Sequence, residues 1–348
     1  MRLGCALGMT LIWGCTSTGD AADGAKDGNG DDTASGGGSG EEWRAAGSGT
    51  AFFADGSEDN SLFRLQLNRC MPAREGEGYY GWVSKDGADA ESVGEIVVNG
   101  DTVDFSSDIG ANAIIGGYNH FEAWASEDDE IGTGELLWQG DVDPTVYSVI
   151  QRLLIASPDT PDGQGSLRTM ESEIETLSGS AKALVDDSPS LPDLQAAAES
   201  IANGLQEPAA DLNDDGTVSA ISDFIAIRGE NSQHDGGLVG LVDADLQAVA
   251  VAIPPGTPIR DYIDDGYDGL DIVYLWAHDA WSKAAVAANS AAESTADVKV
   301  SAAIVSMDTA IYGEDTNLDG IIDVATEGGL DRAVHWISRM AYMQITTP

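Results

Sequence analysis

Basic residues are scarce in this chain: 16 Lys and Arg stand against 60 Asp and Glu, a formal net charge of -44 over 348 residues. Such a chain repels phosphate backbones, which excludes nucleic acid as a partner, and attracts cations instead. The same charge also serves solubility in a salty habitat. Cysteine is rare. Cys5, Cys15 and Cys70 are all there is, two of them at the extreme N-terminus, so no disulfide framework is legible. The four histidines, His120, His234, His278 and His335, form neither H-E-x-x-H nor any close pair, which argues against a zinc site. There is no C-x-x-C-H for covalent haem, no G-x-G-x-x-G after a strand and no P-loop. Carboxylate pairs are too plentiful for any one of them to read as a catalytic dyad. The expected protein is not an enzyme. Beyond its first residues the chain has no apolar run long enough to span a bilayer.

The N-terminus "MRLGCALGMTLIWGC" carries one basic residue, Arg2, and an apolar run from Leu3 to Trp13. That run is too short to span a membrane and fits the h-region of a signal peptide. Its end, "LIWGC" from Leu11 to Cys15, resembles the bacterial lipobox. The resemblance implies a lipoprotein, with Cys15 acylated and made the mature N-terminus. Acyl chains partition into lipid at about 0.8 kcal/mol per buried CH2, so a multiply acylated cysteine is a firm anchor. Thr16 follows the cysteine, which in a Gram-negative cell favours the outer membrane. Residues 16–42 hold no large apolar side chain and read as an acidic Gly/Ser/Asp tether. Cys70 then has no partner left and reads as a buried thiol.

A length of 348 residues suggests about two domains plus unstructured ends, and a hydrophobic content of 42% suffices for ordinary cores. The expected fold class is multidomain α+β, an antiparallel β-sandwich over 43–142 followed by an all-α helical bundle over 143–348. Over 43–142, short runs rich in β-branched and aromatic residues recur between Gly, Asp and Asn: "GTAFFAD", "SLFRLQLN", "YYGWVS", "SVGEIVVNG", "DTVDFSS", "HFEAWASE" and "GELLWQG". "VNGD" is a tight hairpin signal. About seven strands in a sandwich follow. Tyr80, Trp82 and Trp124 read as core aromatics.

The span from "YYGWVSKDG" to "GELLWQGDV" resembles the extracytoplasmic β-sandwich of the anti-sigma-K-factor family, through Tyr79, Trp82, Gly94, Phe121, Glu127 and Gly140. The resemblance implies a sandwich fold and an extracytoplasmic setting. It does not imply sigma-factor regulation, because the sigma-binding helices, zinc motif and transmembrane helix of that family are missing.

From Asp143 the period changes. "DPTVYSVIQRLLIAS" begins with Asp143 as N-cap and Pro144 at the first helical position. Val146, Val149, Ile150, Leu153 and Leu154 then recur at helical spacing. "LPDLQAAAESIANGL" places Leu194, Ala198, Ile201 and Leu205 on one stripe. "GLDIVYLWAHDAWSKAAVAANSAAES", "DVKVSAAIVSMDTAIYG" and the closing "EGGLDRAVHWISRMAYMQI" are further helix candidates, about six in all.

A shared layout recurs among these helix candidates. "DLNDDGTVSAISD" runs from Asp211 to Asp223, and "DTNLDGIIDVATE" from Asp315 to Glu327. Asp211, Asn213 and Asp215 match Asp315, Asn317 and Asp319, and Gly216 matches Gly320. These are positions 1, 3, 5 and 6 of a calcium loop. The carbonyls of Thr217 and Ile321 fall at position 7, Val218 and Ile322 at position 8 as core anchors, and Ser219 and Asp323 at position 9. The acid expected at position 12 arrives one residue late in both copies, as Asp223 and Glu327. A single such loop is a weak signal; a pair in register with the same delay is stronger. Both resemble EF-hand and dockerin loops over their first nine positions. The ligand implied is Ca2+, which takes six to eight oxygens in irregular geometry, rather than Mg2+. The copies lie farther from each other than in dockerins, so a cohesin partner is not implied.

The sequence thus points to a non-enzymatic envelope lipoprotein that is stabilised by calcium. It would bind or adhere to an unidentified envelope partner, facing the periplasm or the cell surface. A periplasmic metal or haem uptake protein built on His278 and His335, near Trp276, Trp281 and Trp336, is the alternative. An envelope signalling component is a third.

Overall fold

A computed structural model of the chain describes residues 47–54, 61–85, 88–110, 117–186, 189–219, 226–229 and 236–348. The signal peptide, Cys15 and the tether over 16–42 lie outside the described residues, as do Asp223 and His234.

Alternation of apolar and polar residues builds the strands. In β2 (Leu62–Asn68) Phe63, Leu65 and Leu67 are buried while their neighbours reach solvent. Its neighbours in one antiparallel sheet are β1 (Ser48–Ala54) and β5 (Thr102–Asp108), in register Ala51↔Leu65↔Phe105. The second sheet has the order β4 (Ala88–Glu95), β3 (Gly78–Lys85), β6 (His120–Ser126), β7 (Glu135–Asp141), again antiparallel throughout. Phe63 of the first sheet stacks on Phe121 of the second with ring centroids 5.0 Å apart, and Tyr79 meets Trp138 edge-on at 5.2 Å. Trp82 is buried, whereas Tyr80 and Trp124 are half-buried. Cys70 is a buried free thiol, its pKa pushed up to about 11 by burial first and then by Asp101.

Two expectations change. "VNGD" does form a tight turn, closed by backbone bonds from Asn99 N–H to Thr102 O and from Thr102 N–H to Asn99 O. Its flanks, β4 and β5, belong to different sheets, so the turn links sheets and is not the end of a hairpin. The final segment is not all helix. It turns into strand β8 (Met343–Ile345), which pairs with β1 at the edge of the first sheet. Thr346 bridges to Gln139 of β7, so the C-terminus draws on both sheets.

Seven helices complete the described residues: α1 (Pro144–Leu154), α2 (Ser166–Asp186), α3 (Leu191–Leu205), α4 (Gly237–Ala252), α5 (Pro258–Ala288), α6 (Glu293–Tyr312) and α7 (Leu330–Arg339). Asp143 caps α1 as expected, its Oδ1 accepting from Thr145 N–H at 2.8 Å and Val146 N–H at 3.3 Å. At 31 residues α5 is about 46 Å long and packs against α3, α6 and α7. The molecule is therefore mixed α+β, with two antiparallel sheets and seven helices among the described residues. Both Asp-rich loops follow a helix: loop 1 comes after α3 and loop 2 runs from α6 to α7.

Candidate metal centre

Loop 1 starts from an anomaly in α3. The helix buries Leu194, Ala198, Ile201, Ala202 and Leu205, as an apolar stripe should. It also buries Glu199, at 0% exposure, and Asn203, at 9%, one helical turn apart. Asn203 Nδ2 donates to the carbonyls of Ala210 at 3.0 Å and Ser219 at 2.6 Å, and its Oδ1 accepts from Ala210 N–H at 2.9 Å. Glu199 Oε1 accepts from Ser219 N–H at 3.1 Å. The residue before the loop, Ala210, and its position 9, Ser219, are thereby fastened to α3. Inside it, Asp211 Oδ2 accepts from Gly216 N–H at 3.0 Å and Asn213 Oδ1 from Asp215 N–H at 3.0 Å. Asp215 Oδ1 accepts from Thr217 N–H at 2.8 Å and from the Thr217 hydroxyl, while Asn213 Nδ2 donates to Asp215 Oδ2 at 3.2 Å. The Thr217 hydroxyl, then its N–H, hold the Asp215 carboxyl below the usual range.

Loop 2 repeats the inner pattern. Asp315 Oδ2 accepts from Gly320 N–H at 2.8 Å, Asn317 Oδ1 from Asp319 N–H at 2.9 Å, and Asp319 Oδ1 from Ile321 N–H at 2.9 Å. Position 4 is left-handed in both copies, Asp214 at φ 57° and Leu318 at φ 61°, and the glycine at position 6 has φ 88° in each. Over their described inner turns the two loops therefore share backbone conformation as well as sequence.

They are closed differently. In loop 2 the late acid folds back inside. Glu327 is buried, and its Oε1 accepts from Thr316 N–H at 3.0 Å, Thr316 Oγ1 at 2.8 Å and Asn317 N–H at 3.0 Å. Its Oε2 accepts from Asp323 N–H at 3.1 Å. These donors, the Asp323 N–H first, hold its carboxyl below the usual range. Trp336 Nε1 and Arg332 of α7 donate to the carbonyls of Ala325 and Thr326, at 3.0 and 3.1 Å, tying the loop to the last helix. In loop 1 the acid that meets the N–H at position 9 is Glu199, from outside the loop.

The expected apolar anchors at position 8 do not act as anchors: Val218 is 52% exposed and Ile322 38%. Hydrogen bonds from Glu199, Asn203 and Glu327 hold the loops in place instead. Thr217, Ile321 and Asp323 are exposed, and Asp211 and Asp315 are half-buried. Glu199 and Asn203 do not stand out in the sequence. Their signal is weak but present: a glutamate and an asparagine one turn apart in a segment otherwise made of Ala, Ile, Leu, Ser and Gly.

Comparison with protein-family models, curated proteins and solved structures finds no match to this chain. Function has to be argued from the residues. Among the described residues no group of three or more His, Cys, Asp or Glu is arranged to hold a metal ion. A calcium shell of the loop type also draws on amide, hydroxyl and backbone oxygens, such as those of Asn213 and Thr217. No described helix is long and apolar enough to cross a membrane.

The histidines are dispersed. Arg228, buried and lying over the Tyr274 ring, donates to His278 Nδ1 at 2.9 Å and to Tyr274 Oη at 2.7 Å. His278 stacks on Trp281, and its pKa is lowered by burial and then by the Arg228 charge. With a guanidinium on one ring nitrogen, His278 is poorly placed for a metal or haem iron. His335 meets Trp336 edge-on at 5.1 Å, and His120 lies on β6 beside Asp141 at 2.7 Å.

Proposed function

We propose that this chain is a non-enzymatic cell-envelope lipoprotein, anchored through Cys15, that serves as a binding or adhesion component. Its helical region is stabilised by Ca2+ held in the Asp-rich loops. The lipobox resemblance supports the anchor, and the acidic tether over 16–42 supports a folded region that stands away from the membrane. The contact of Phe63 with Phe121 supports the sandwich reading of the two sheets.

One observation carries the calcium reading. Two loops far apart in sequence adopt the same turn signs at positions 4 and 6, with the same three side chains folded inward over the loop amides. Loops of that shape are preorganised for a hard cation, because the ordering cost is met before the ion arrives. Loop 1 would use Asp211, Asn213, Asp215 and the Thr217 carbonyl. Loop 2 would use Asp315, Asn317, Asp319 and the Ile321 carbonyl.

Scanning calorimetry of the full chain tests this. A cation at one hundred times its Kd stabilises the folded state by about 2.7 kcal/mol. Stripping with EDTA should lower the melting temperature by several degrees. Added calcium should restore it and equimolar magnesium should not. An unchanged melting temperature refutes the reading.

A further inference from the structure

Two carboxylate oxygens at the foot of loop 1 are buried and accept no hydrogen bond: Glu199 Oε2 and Asp211 Oδ1. No atom of loop 2 shares that condition among the described residues. Glu199 is the more telling of the pair. It has no solvent exposure, and among the described residues the Ser219 N–H is the one donor bonded to its carboxylate. No basic side chain is paired with it among the described residues. A buried carboxylate so poorly matched calls for a positive partner.

A cation placed between the two oxygens would take both as ligands. Their surroundings are already ordered for it. Asn203, one turn along α3 from Glu199, fixes Ala210, the residue before Asp211, and also fixes Ser219. Asn203 thereby holds the backbone beside Asp211 and the residue whose N–H Glu199 accepts.

The comparison with loop 2 gives the role. There Glu327 reaches the N–H of position 9 from within the loop. Here Glu199 reaches the equivalent N–H from the preceding helix. We propose that Glu199 of α3 is the closing carboxylate of a Ca2+ site in loop 1, with Glu199 Oε2 and Asp211 Oδ1 as two of its ligands. The proposal rests on the calcium reading of the loops and adds to it a ligand from outside the loop motif. Binding then ties the loop to α3, and through α3 to α5 and α6, which pack on it.

The test titrates CaCl2 into the EDTA-stripped full chain by isothermal calorimetry. Glu199→Gln keeps the shape and the bond from Ser219 but removes the charge. Asp211→Asn does the same from the loop side and serves where the first variant folds poorly, folding being checked by circular dichroism. Each should weaken one and the same binding event by about 10- to 100-fold. Asp315→Asn, in loop 2, should leave that event as it was. Calcium binding of wild-type strength in folded Glu199→Gln overturns the assignment of Glu199 while calcium binding itself stands. Failure of the wild-type chain to bind calcium overturns both.

Discussion

The two Asp-rich loops share a layout and a backbone but not a means of closure. In loop 2 the acid comes from within: its own thirteenth residue, Glu327, gathers the amides of Thr316, Asn317 and Asp323. Loop 1 leans on its neighbour: Glu199 and Asn203 of α3 hold Ala210 and Ser219. One motif can thus be finished locally or through tertiary structure. The difference leaves a mark, because loop 2 satisfies its buried carboxylate within itself and loop 1 leaves two oxygens without partners.

The comparison is most sharply broken at Gly313. This residue ends α6 with φ 91°, and a Cβ built there would lie 1.9 Å from the carbonyl oxygen of Glu327. Gly313→Val should force the closing strand of loop 2 away and cost about 3 kcal/mol or more. Hydrogen exchange should show the Thr316 and Asn317 amides deprotected and loop 1 unchanged. Equal loss in both loops would mean that they are not independent.

Asn203→Ala is the counterpart for loop 1. It removes three hydrogen bonds from a buried amide and strands the groups at Ala210 and Ser219. The expected cost is about 2 to 3 kcal/mol, read from the urea midpoint, with calcium affinity falling as well. A variant as stable as the wild type would show that the clamp on α3 is dispensable.

Acid should open loop 2 next. The folded-state pKa of Glu327 lies below its ordinary value of 4.5. Its stabilisation is therefore complete above about that pH and is lost as pH falls through the lower folded value. Without calcium, protection of the Thr316, Asn317 and Asp323 amides should fade in that acidic range and stay flat from there to neutrality. Fading that begins near neutral pH would point to another group.

The smallest effect belongs to Leu318, which is 86% exposed and left-handed at φ 61°. Leu318→Gly relieves that conformation and gives up no buried contact, so thermal unfolding should shift upward by the equivalent of about 1 kcal/mol. A downward shift would mean that the left-handed turn carries no strain.

Much of the architecture is legible because it rests on local periods. The alternation in "SLFRLQLN" and the Asp-Pro start of α1 correspond to β2 and α1 where they are expected. The inner turns of the loops are legible for the same reason, since Asp, Asn, Asp and Gly at fixed spacing fold on one another. The end of the chain is not. "AYMQI" has too few residues for its period to separate strand from helix, and its place beside β1 is set by a partner almost the whole chain away. Position 8 misleads because an apolar residue in a motif looks like an anchor whether or not a core lies under it. Val218 and Ile322 have none.

Composition and spacing therefore settle the acidity, the mixture of strands with helices and the inner turns of the Asp-rich loops. These depend on charge counts and on contacts a few residues long. Which acid closes which loop was decided only when the chain packed. Burial is a property of neighbours, and nothing in "AAAESIANG" says that Glu199 will lie out of reach of water with one oxygen unmet. The late acids Asp223 and Glu327 look equivalent in the sequence. In loop 1 the N–H at position 9 donates to Glu199, a carboxylate that α3 brings to the loop at no cost in loop length.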